Sequence, residues 1–81
     1  MKHVFSDHFV RQLKKLPMVV ERKFYKQLKY LLADIRYPSL RTKKFDETQG
    51  IWQARVDDHY RFYFIIDNDA YVLFNILPHR D

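Results

Sequence analysis

The chain contains no cysteine, a single glycine and only three prolines. Without cysteine there is no disulfide and no thiolate metal site, which is compatible with the reducing cytoplasm, where we expect the protein to reside. One glycine cannot form a glycine-rich phosphate loop. No apolar run approaches the roughly 20 residues that span a bilayer, and the first residues do not have the pattern of a signal peptide.

Aromatic and basic residues are what the chain has in quantity. Of its 81 residues, 17% are aromatic and 47% hydrophobic, which is enough for one small domain, residues 1–81, with a packed core. The net charge is +5. A basic domain of this size suggests a polyanionic partner, nucleic acid first, although many small basic proteins bind no polyanion.

The first half of the chain has the periodicity of two helices. Residues 2–5 can form a first strand, and Ser6 or Asp7 offers an oxygen that caps the helix after it. Apolar residues three or four apart predict a first helix that Pro17 stops and a longer second helix that ends before Pro38. Two consecutive helices joined at a proline predict an αα-hairpin with one apolar face.

Polar positions of the second helix, such as Gln27, are expected on its surface. After this helix, residues 38–50 lose the periodicity. The only glycine, Gly50, stands directly before the next strand, where a positive φ is plausible. This polar segment carries three cations: Arg41, Lys43 and Lys44.

Three runs rich in aromatic and β-branched residues follow, at 50–56, 60–66 and 70–77. Acidic turns at 57–59 and 67–69 separate them. This pattern predicts a three-stranded antiparallel β-meander. With the N-terminal strand it gives an α+β fold in which the helices pack on one face of a four-stranded sheet.

Alternation along these strands predicts which side chains the helices cover. The covered face is expected to contain Trp52, Ala54, Val56, Tyr60, Phe62, Phe64, Ile66, Val72, Phe74 and Ile76. The open face is expected to contain Gln53, Arg55, Arg61, Tyr63, Ile65, Tyr71, Leu73, Asn75 and His79.

Two arginines are predicted to face each other on the open side. If the first turn has three residues, Arg55 stands directly opposite Arg61. Like charges opposed across strands are destabilising, and an anion between them would turn the repulsion into attraction. The alternative is that Asp57 and Asp58 in the adjacent turn neutralise both arginines.

A histidine follows at the end of the third run. With a three-residue second turn, Arg61 faces Asn75, and His79 lies near the arginine pair; a two-residue turn would reverse this parity. His79 could transfer a proton or be a bystander, and Arg80 could bind phosphate or be a charged tail. No two histidines have the spacing of a metal site on a helix, so we expect neither a metal nor a cofactor.

The order of elements and two local patterns resemble the RelE/ParE toxin superfamily of bacterial and archaeal toxin–antitoxin modules. The patterns are Trp-x-x-Arg-Val-x-x-x-Tyr-Arg at residues 52–61 and the terminal Pro78-His79. The resemblance is greatest to the RelE, YoeB and YafQ branches. It implies a metal-independent endoribonuclease that cuts mRNA in the ribosomal A site, by attack of the 2′-hydroxyl on the adjacent phosphate.

The resemblance also implies site residues and partners. Arg55, Arg61, His79 and Arg80 would be catalytic, with Arg61 stabilising the charged phosphorane and His79 acting as general acid. The RNA-binding residues would be Arg41, Lys43 and Lys44, in a loop that docks on ribosomal RNA. The partners would be mRNA, the ribosome and a cognate antitoxin, with the protein a monomer alone or a hetero-oligomer with that antitoxin. The alternatives are a ParE-like inhibitor of DNA gyrase and a catalytically weakened relative that only binds antitoxin.

Overall fold

The fold is seen in a computed structural model, which describes residues 1–79. Two helices and five strands make up the structure, with a one-turn 3₁₀ helix at Pro38–Leu40. In chain order they are β1 (Lys2–Phe5), α1 (Asp7–Lys14), α2 (Met18–Ala33), β2 (Lys43–Asp46), β3 (Ile51–Arg55), β4 (Tyr60–Asp67) and β5 (Ala70–Pro78).

The strands form one mixed sheet in the order β1-β5-β4-β3-β2. Strand β1 runs parallel to β5, and the other pairs are antiparallel. The two helices connect β1 to β2, which lies at the opposite edge of the sheet. The predicted α+β class is confirmed, but the prediction of four strands is wrong. The missed strand, β2, is a short, charged edge strand, and such strands lack the apolar alternation by which strands are recognised.

The core lies between the helices and one face of the sheet. Ser6 caps α1 as predicted, because its Oγ accepts a hydrogen bond from the backbone N–H of Phe9 at 3.1 Å. Phe24 of α2 meets Phe62 of β4 edge to face, with ring centroids 5.3 Å apart. The largest fully buried side chains are Phe9, Phe24, Phe62, Phe64, Leu31, Leu40 and Leu73.

Neither helix in residues 1–79 combines the length and apolar character needed to cross a membrane.

The first hairpin has the predicted register. Arg55 pairs with Arg61 across β3 and β4, and Val56 donates its backbone N–H to the carbonyl of Tyr60 at 3.0 Å. Gly50, directly before β3, has φ +68°, so the expected positive φ is confirmed. The pairing of side chains across β3 and β4 is thus the one predicted from the sequence.

The second hairpin differs from the prediction near its turn. Asp67 pairs with Ala70, so the turn has two residues, and Asn68 takes a left-handed φ of 56°, which asparagine tolerates. This shorter turn reverses the parity of the start of β5. Tyr71 and Leu73 are therefore buried in the core, in the places expected for Val72 and Phe74.

A β-bulge then restores the original parity. Phe64 pairs with Leu73, but the preceding Tyr63 pairs with Asn75, so one extra residue of β5 lies between these pairs. Arg61 faces Leu77, which corrects the predicted pairing with Asn75. Because the shift of the shorter turn is undone, the end of β5 again has the parity of the arginine pair.

Candidate functional site

A cavity of about 260 Å³ lies where β2, β3, β4 and the end of β5 meet on the sheet face away from the core. Five of the predicted site residues line it, and within residues 1–79 no carboxylate does. We call this lining the cationic half of the open face: Arg41, Lys43, Gln53, Ala54, Arg55, Arg61 and His79.

Arg61 is the most deeply placed cation of the cationic half. Only 7% of the residue is exposed, and its NH1 donates hydrogen bonds to the backbone carbonyls of Asp57 at 2.7 Å and Tyr60 at 3.0 Å. Carbonyls hold the guanidinium in place without cancelling its charge. Among residues 1–79, no carboxylate is within ion-pair distance of Arg61. A buried cation without a counter-ion favours binding of an anion.

Arg55 stands opposite in a more open environment. Its NH1 lies 3.6 Å from Oδ1 of Asp58, whose side chain is 91% exposed. An ion pair with so exposed a carboxylate is weak and easily exchanged for another anion. The sequence left open whether the acidic turn neutralises the two arginines. In the structure, Asp58 pairs weakly with Arg55, and neither turn aspartate pairs with Arg61.

The carboxylate of Asp57 serves the turn instead of the arginines. It accepts hydrogen bonds from the backbone N–H groups of His59 and Tyr60, both at 2.8 Å, and lies 3.5 Å from Nζ of Lys23. Partial burial is the largest single influence on the pKa of Asp57 and raises it. The two N–H groups and Lys23 together outweigh burial and hold the pKa below its usual value. The turn that carries the carbonyl ligands of Arg61 is thus fixed by an ionised aspartate.

The end of β5 brings His79 to the same cavity. Its backbone N–H donates to the carbonyl of His59 at 2.6 Å, which extends the pairing of β4 and β5 beyond the last strand residue. His79 lines the cavity together with the two arginines. The predicted catalytic residue Arg80 lies outside the described residues.

The basic loop is divided by the sheet. Lys43 lines the cavity, but the next residue, Lys44, has the opposite parity in β2, and its Nζ lies 4.9 Å from the ring centroid of Trp52. Arg41 lines the cavity from a left-handed backbone conformation, with φ 46° and ψ 47°. This conformation costs a non-glycine residue about 1–2 kcal/mol, and such strain is concentrated at functional sites.

Gln27 corrects the expectation that polar residues of α2 lie on the surface. It is buried, and its Nε2 donates to the carbonyls of Ser39 at 3.0 Å and Arg55 at 2.9 Å, while its Oε1 accepts from Oγ of Ser39 at 3.0 Å. It thereby ties α2 to the end of β3 beside the cavity. Its position, three residues after Phe24 and four before Leu31 on the apolar stripe, is the signal that could have identified it.

Gln53 is a second residue to which the sequence gives no role. Only 4% of it is exposed, it lines the cavity, and its Nε2 donates to the hydroxyl of Tyr63 at 3.3 Å. It is buried because β3 lies between β2 and β4 in the sheet, where Gln53 pairs with Lys43 and Tyr63, and composition alone does not reveal this position.

The remainder of the open face is apolar. A smaller hollow of about 150 Å³ lies there, and Phe45 at its side is 59% exposed and meets the ring of Tyr63 edge to face at 5.0 Å. We call its lining the apolar half of the open face: Phe45, Ile51, Tyr63, Phe74, Asn75 and Leu77.

Comparisons with known proteins rest on structure. No protein-family model and no curated sequence matches the chain. The YoeB/ParE toxin from Agrobacterium tumefaciens superimposes with a TM-score of 0.81 at 12% identity, over 99% of this chain and 100% of that one. The archaeal RelE–RelB complex from Pyrococcus horikoshii gives 0.78 at 18% identity, over 95% and 92%.

The YoeB–YefM complex from Staphylococcus aureus gives a TM-score of 0.78 at 14% identity, over 99% of this chain and 98% of that one. At these identities the likeness concerns the fold, and it extends over nearly the whole of each chain. The chain has the fold of the RelE/ParE toxin superfamily.

Proposed function

We propose that the protein is the toxin of a type II toxin–antitoxin module and that it inhibits translation as a ribosome-dependent endoribonuclease acting on mRNA. The observation that carries the proposal is the cationic half itself. Arg61, buried and without a carboxylate partner among residues 1–79, faces Arg55, with His79 at the same cavity. The fold shared with RelE and YoeB toxins supports the same function.

The arginine pair suits a phosphodiester. When the 2′-oxygen of a ribose attacks the adjacent phosphorus, negative charge accumulates on the equatorial oxygens. Arg61, already fixed by two carbonyls, offers donors that need no reorganisation, and Arg55 faces it across one strand pair. Fixed donors aimed at developing charge contribute about 3–4 kcal/mol each to transition-state stabilisation.

Cleavage requires one proton to leave the 2′-hydroxyl and one proton to reach the 5′-oxygen. The 2′-O–P bond forms as the bond from phosphorus to the 5′-oxygen breaks, leaving a cyclic phosphate and a 5′-hydroxyl. An imidazole can donate a proton near neutral pH, so His79 protonates the departing 5′-oxygen. The facing cations lower the pKa of a 2′-hydroxyl bound between them, which favours loss of its proton to water.

The basic residues around the cavity supply sequence-independent affinity for RNA. Arg41 and Lys43 line the site and Lys44 lies on the other side of β2, so the three cations surround one corner of the sheet. Contacts of this kind hold phosphates without reading bases. We assign them to ribosomal RNA and to the mRNA on either side of the cleaved bond.

A cognate antitoxin is the second proposed partner. Two of the solved structures with this fold are complexes named RelE–RelB and YoeB–YefM. The net charge of +5 favours an acidic protein, and the exposed apolar half offers surface for it. The protein would be a monomer alone and a hetero-oligomer with the antitoxin.

Primer extension on an mRNA under translation tests the proposal. Reactions with and without ribosomes are compared for the wild type, Arg61→Ala, His79→Ala and a control of equal charge loss, Arg11→Ala, on the exposed surface of α1. We expect new 5′ ends only with ribosomes, their loss in the first two variants, and their persistence in the control.

Two results would overturn the nuclease assignment. Growth arrest with intact mRNA and induction of the DNA-damage response would favour a ParE-like inhibitor of gyrase. Binding of antitoxin without any growth arrest on induction would favour a relative that only binds antitoxin.

A further inference from the structure

A second cavity, of about 430 Å³, adjoins the cationic half around the end of the 3₁₀ helix. Arg41 lines both cavities, so its side chain forms their common wall. Trp52 has the opposite parity to Gln53 and Arg55, which places this cavity on the helix side of the sheet. Its lining is Ile35, Arg36, Tyr37, Pro38, Arg41, Thr42 and Trp52.

Two aromatic rings of this lining are held by other rings. Tyr37 is 39% exposed and stacks on Tyr30, with centroids 3.9 Å apart and planes 6° from parallel. The indole of Trp52 lies parallel to the ring of Phe64, at 6.4 Å. Rings fixed in this way need little ordering when a flat ligand binds against them.

The charges around the cavity disfavour a cationic ligand. Arg36 and Arg41 line it and Lys44 lies over the indole. The nearby Asp34 is paired with Arg36 at 3.7 Å, and no carboxylate belongs to the lining within residues 1–79. An aromatic surface with guanidinium groups is what stacks with the bases of single-stranded nucleic acid, since every base has a π-face and every nucleotide a negative charge.

We propose that this second cavity binds one unpaired nucleobase of the RNA strand whose phosphate occupies the cationic half. Arg41 lies between the phosphate and the base and contacts both. The identity of the strand rests on the proposed function, whereas the base site rests on the aromatic lining. This arrangement also accounts for an arginine in a left-handed conformation, because the conformation places one side chain on the wall between two cavities.

Trp52 is the only tryptophan and lines this cavity, so quenching of tryptophan fluorescence reports on a ligand bound there. The intact protein is titrated, at one fixed salt concentration, with a 2′-O-methyl RNA trinucleotide, which lacks the attacking hydroxyl. The control ligand is the same backbone with abasic sites. We expect saturable quenching by the base-bearing oligomer and none by the abasic one. Equal quenching by both, or none by either, would overturn the base site.

A pair of tyrosine variants sharpens the test. Affinities for both oligomers are measured by fluorescence anisotropy of end-labelled strands, which does not depend on quenching of Trp52. Tyr37→Leu should weaken binding of the base-bearing oligomer on the order of tenfold and leave the abasic oligomer unaffected. Tyr25→Leu changes an exposed tyrosine of α2 outside the lining and should leave both affinities unchanged. If Tyr37→Leu weakens both oligomers equally, the inference is wrong.

The inference and the proposed function fail separately. Ribosome-dependent cleavage without base-selective quenching would overturn the base site alone. Base-selective quenching by a protein that never cleaves mRNA would overturn the nuclease assignment alone.

Discussion

The two halves of the open face are built on the same strands but by different means. Strand β4 gives Arg61 to the cationic half and Tyr63, two residues on, to the apolar half. Arg61 is almost wholly buried and hydrogen-bonded to two backbone carbonyls, whereas Phe45 and Leu77 of the apolar half are exposed. Two residues along one strand thus separate a fixed charge from an open apolar surface.

This difference matches what each half is proposed to do. Stabilising a phosphorane requires donors that are in position before the charge develops, and backbone carbonyls position Arg61 in that way. Binding a protein partner requires apolar area that becomes buried only in the complex.

Removal of Arg61 should have the largest effect. Arg61→Ala should lower the rate of ribosome-dependent mRNA cleavage by about 10²-fold or more, because a preorganised donor is lost. The matched change in the apolar half, Tyr63→Phe, removes only a hydroxyl at 3.3 Å from Gln53 and should leave the rate nearly unchanged. Initial cleavage rates in a translation reaction measure both; equal losses would show that the division of the face has no functional meaning.

Asp57 should make the stability of the folded protein depend on pH. Its pKa is lowered in the folded state by the N–H groups of His59 and Tyr60 and by Lys23, which together outweigh the opposing effect of burial. A carboxyl whose folded pKa is depressed stabilises the protein above its unfolded pKa, near 3.9, and this stability is lost as pH falls through the folded value.

The corresponding variant tests this coupling. Asp57→Ala should cost about 2 kcal/mol at neutral pH, since the backbone N–H groups of His59 and Tyr60 lose a charged acceptor. The difference in unfolding free energy between wild type and variant should shrink below pH 4, as measured by urea unfolding. A difference independent of pH would show that the carboxylate charge is not what holds this turn.

Substitutions at the two left-handed residues on either side of β2 should differ in their effect on stability. Gly50→Ala, at φ +68° and with nothing within 4 Å of an added Cβ, should cost about 1 kcal/mol from backbone strain alone. Arg41→Gly should cost no stability, since relief of strain offsets the greater freedom of the unfolded chain. The same variant should weaken RNA binding. Thermal unfolding and oligonucleotide affinity, measured on the same variants, therefore show whether the strained conformation of Arg41 is needed for binding.

The sequence predicts one hairpin better than the other for a physical reason. A three-residue acidic turn with clear alternation on both sides fixes the pairing of Arg55 with Arg61. In the second hairpin, Asn68 permits a two-residue turn, and the bulge after Tyr63 compensates for it. The sequence predicts neither the shorter turn nor the bulge, and their effects on the parity of β5 cancel. His79 therefore lies on the expected face, although Arg61 pairs with Leu77 and not with Asn75.

Other features depend on tertiary context that local patterns do not contain. Strand β2 exists because β3 offers it an edge, and its own four residues are mostly charged. Gln27 is buried because the carbonyls of Ser39 and Arg55 converge on it from distant parts of the chain. The resemblance to toxins predicts that the arginines are site residues, but only the three-dimensional structure separates Lys43 from Lys44.

Those two lysines give the smallest and most closely matched comparison. Both are exposed, adjacent in β2 and equal in charge, yet Lys43 lines the cationic cavity and Lys44 lies over Trp52. Lys43→Ala should reduce the affinity for an abasic 2′-O-methyl oligomer and lower the salt slope of that affinity by about 0.7, as expected when one phosphate contact with a single strand is lost. Lys44→Ala should change that affinity less but should alter the fluorescence of Trp52. If the two variants lose affinity equally, only the total charge of β2 contributes to binding. If Lys43→Ala loses more, the alternation of side chains along β2 determines which lysine contacts the phosphate.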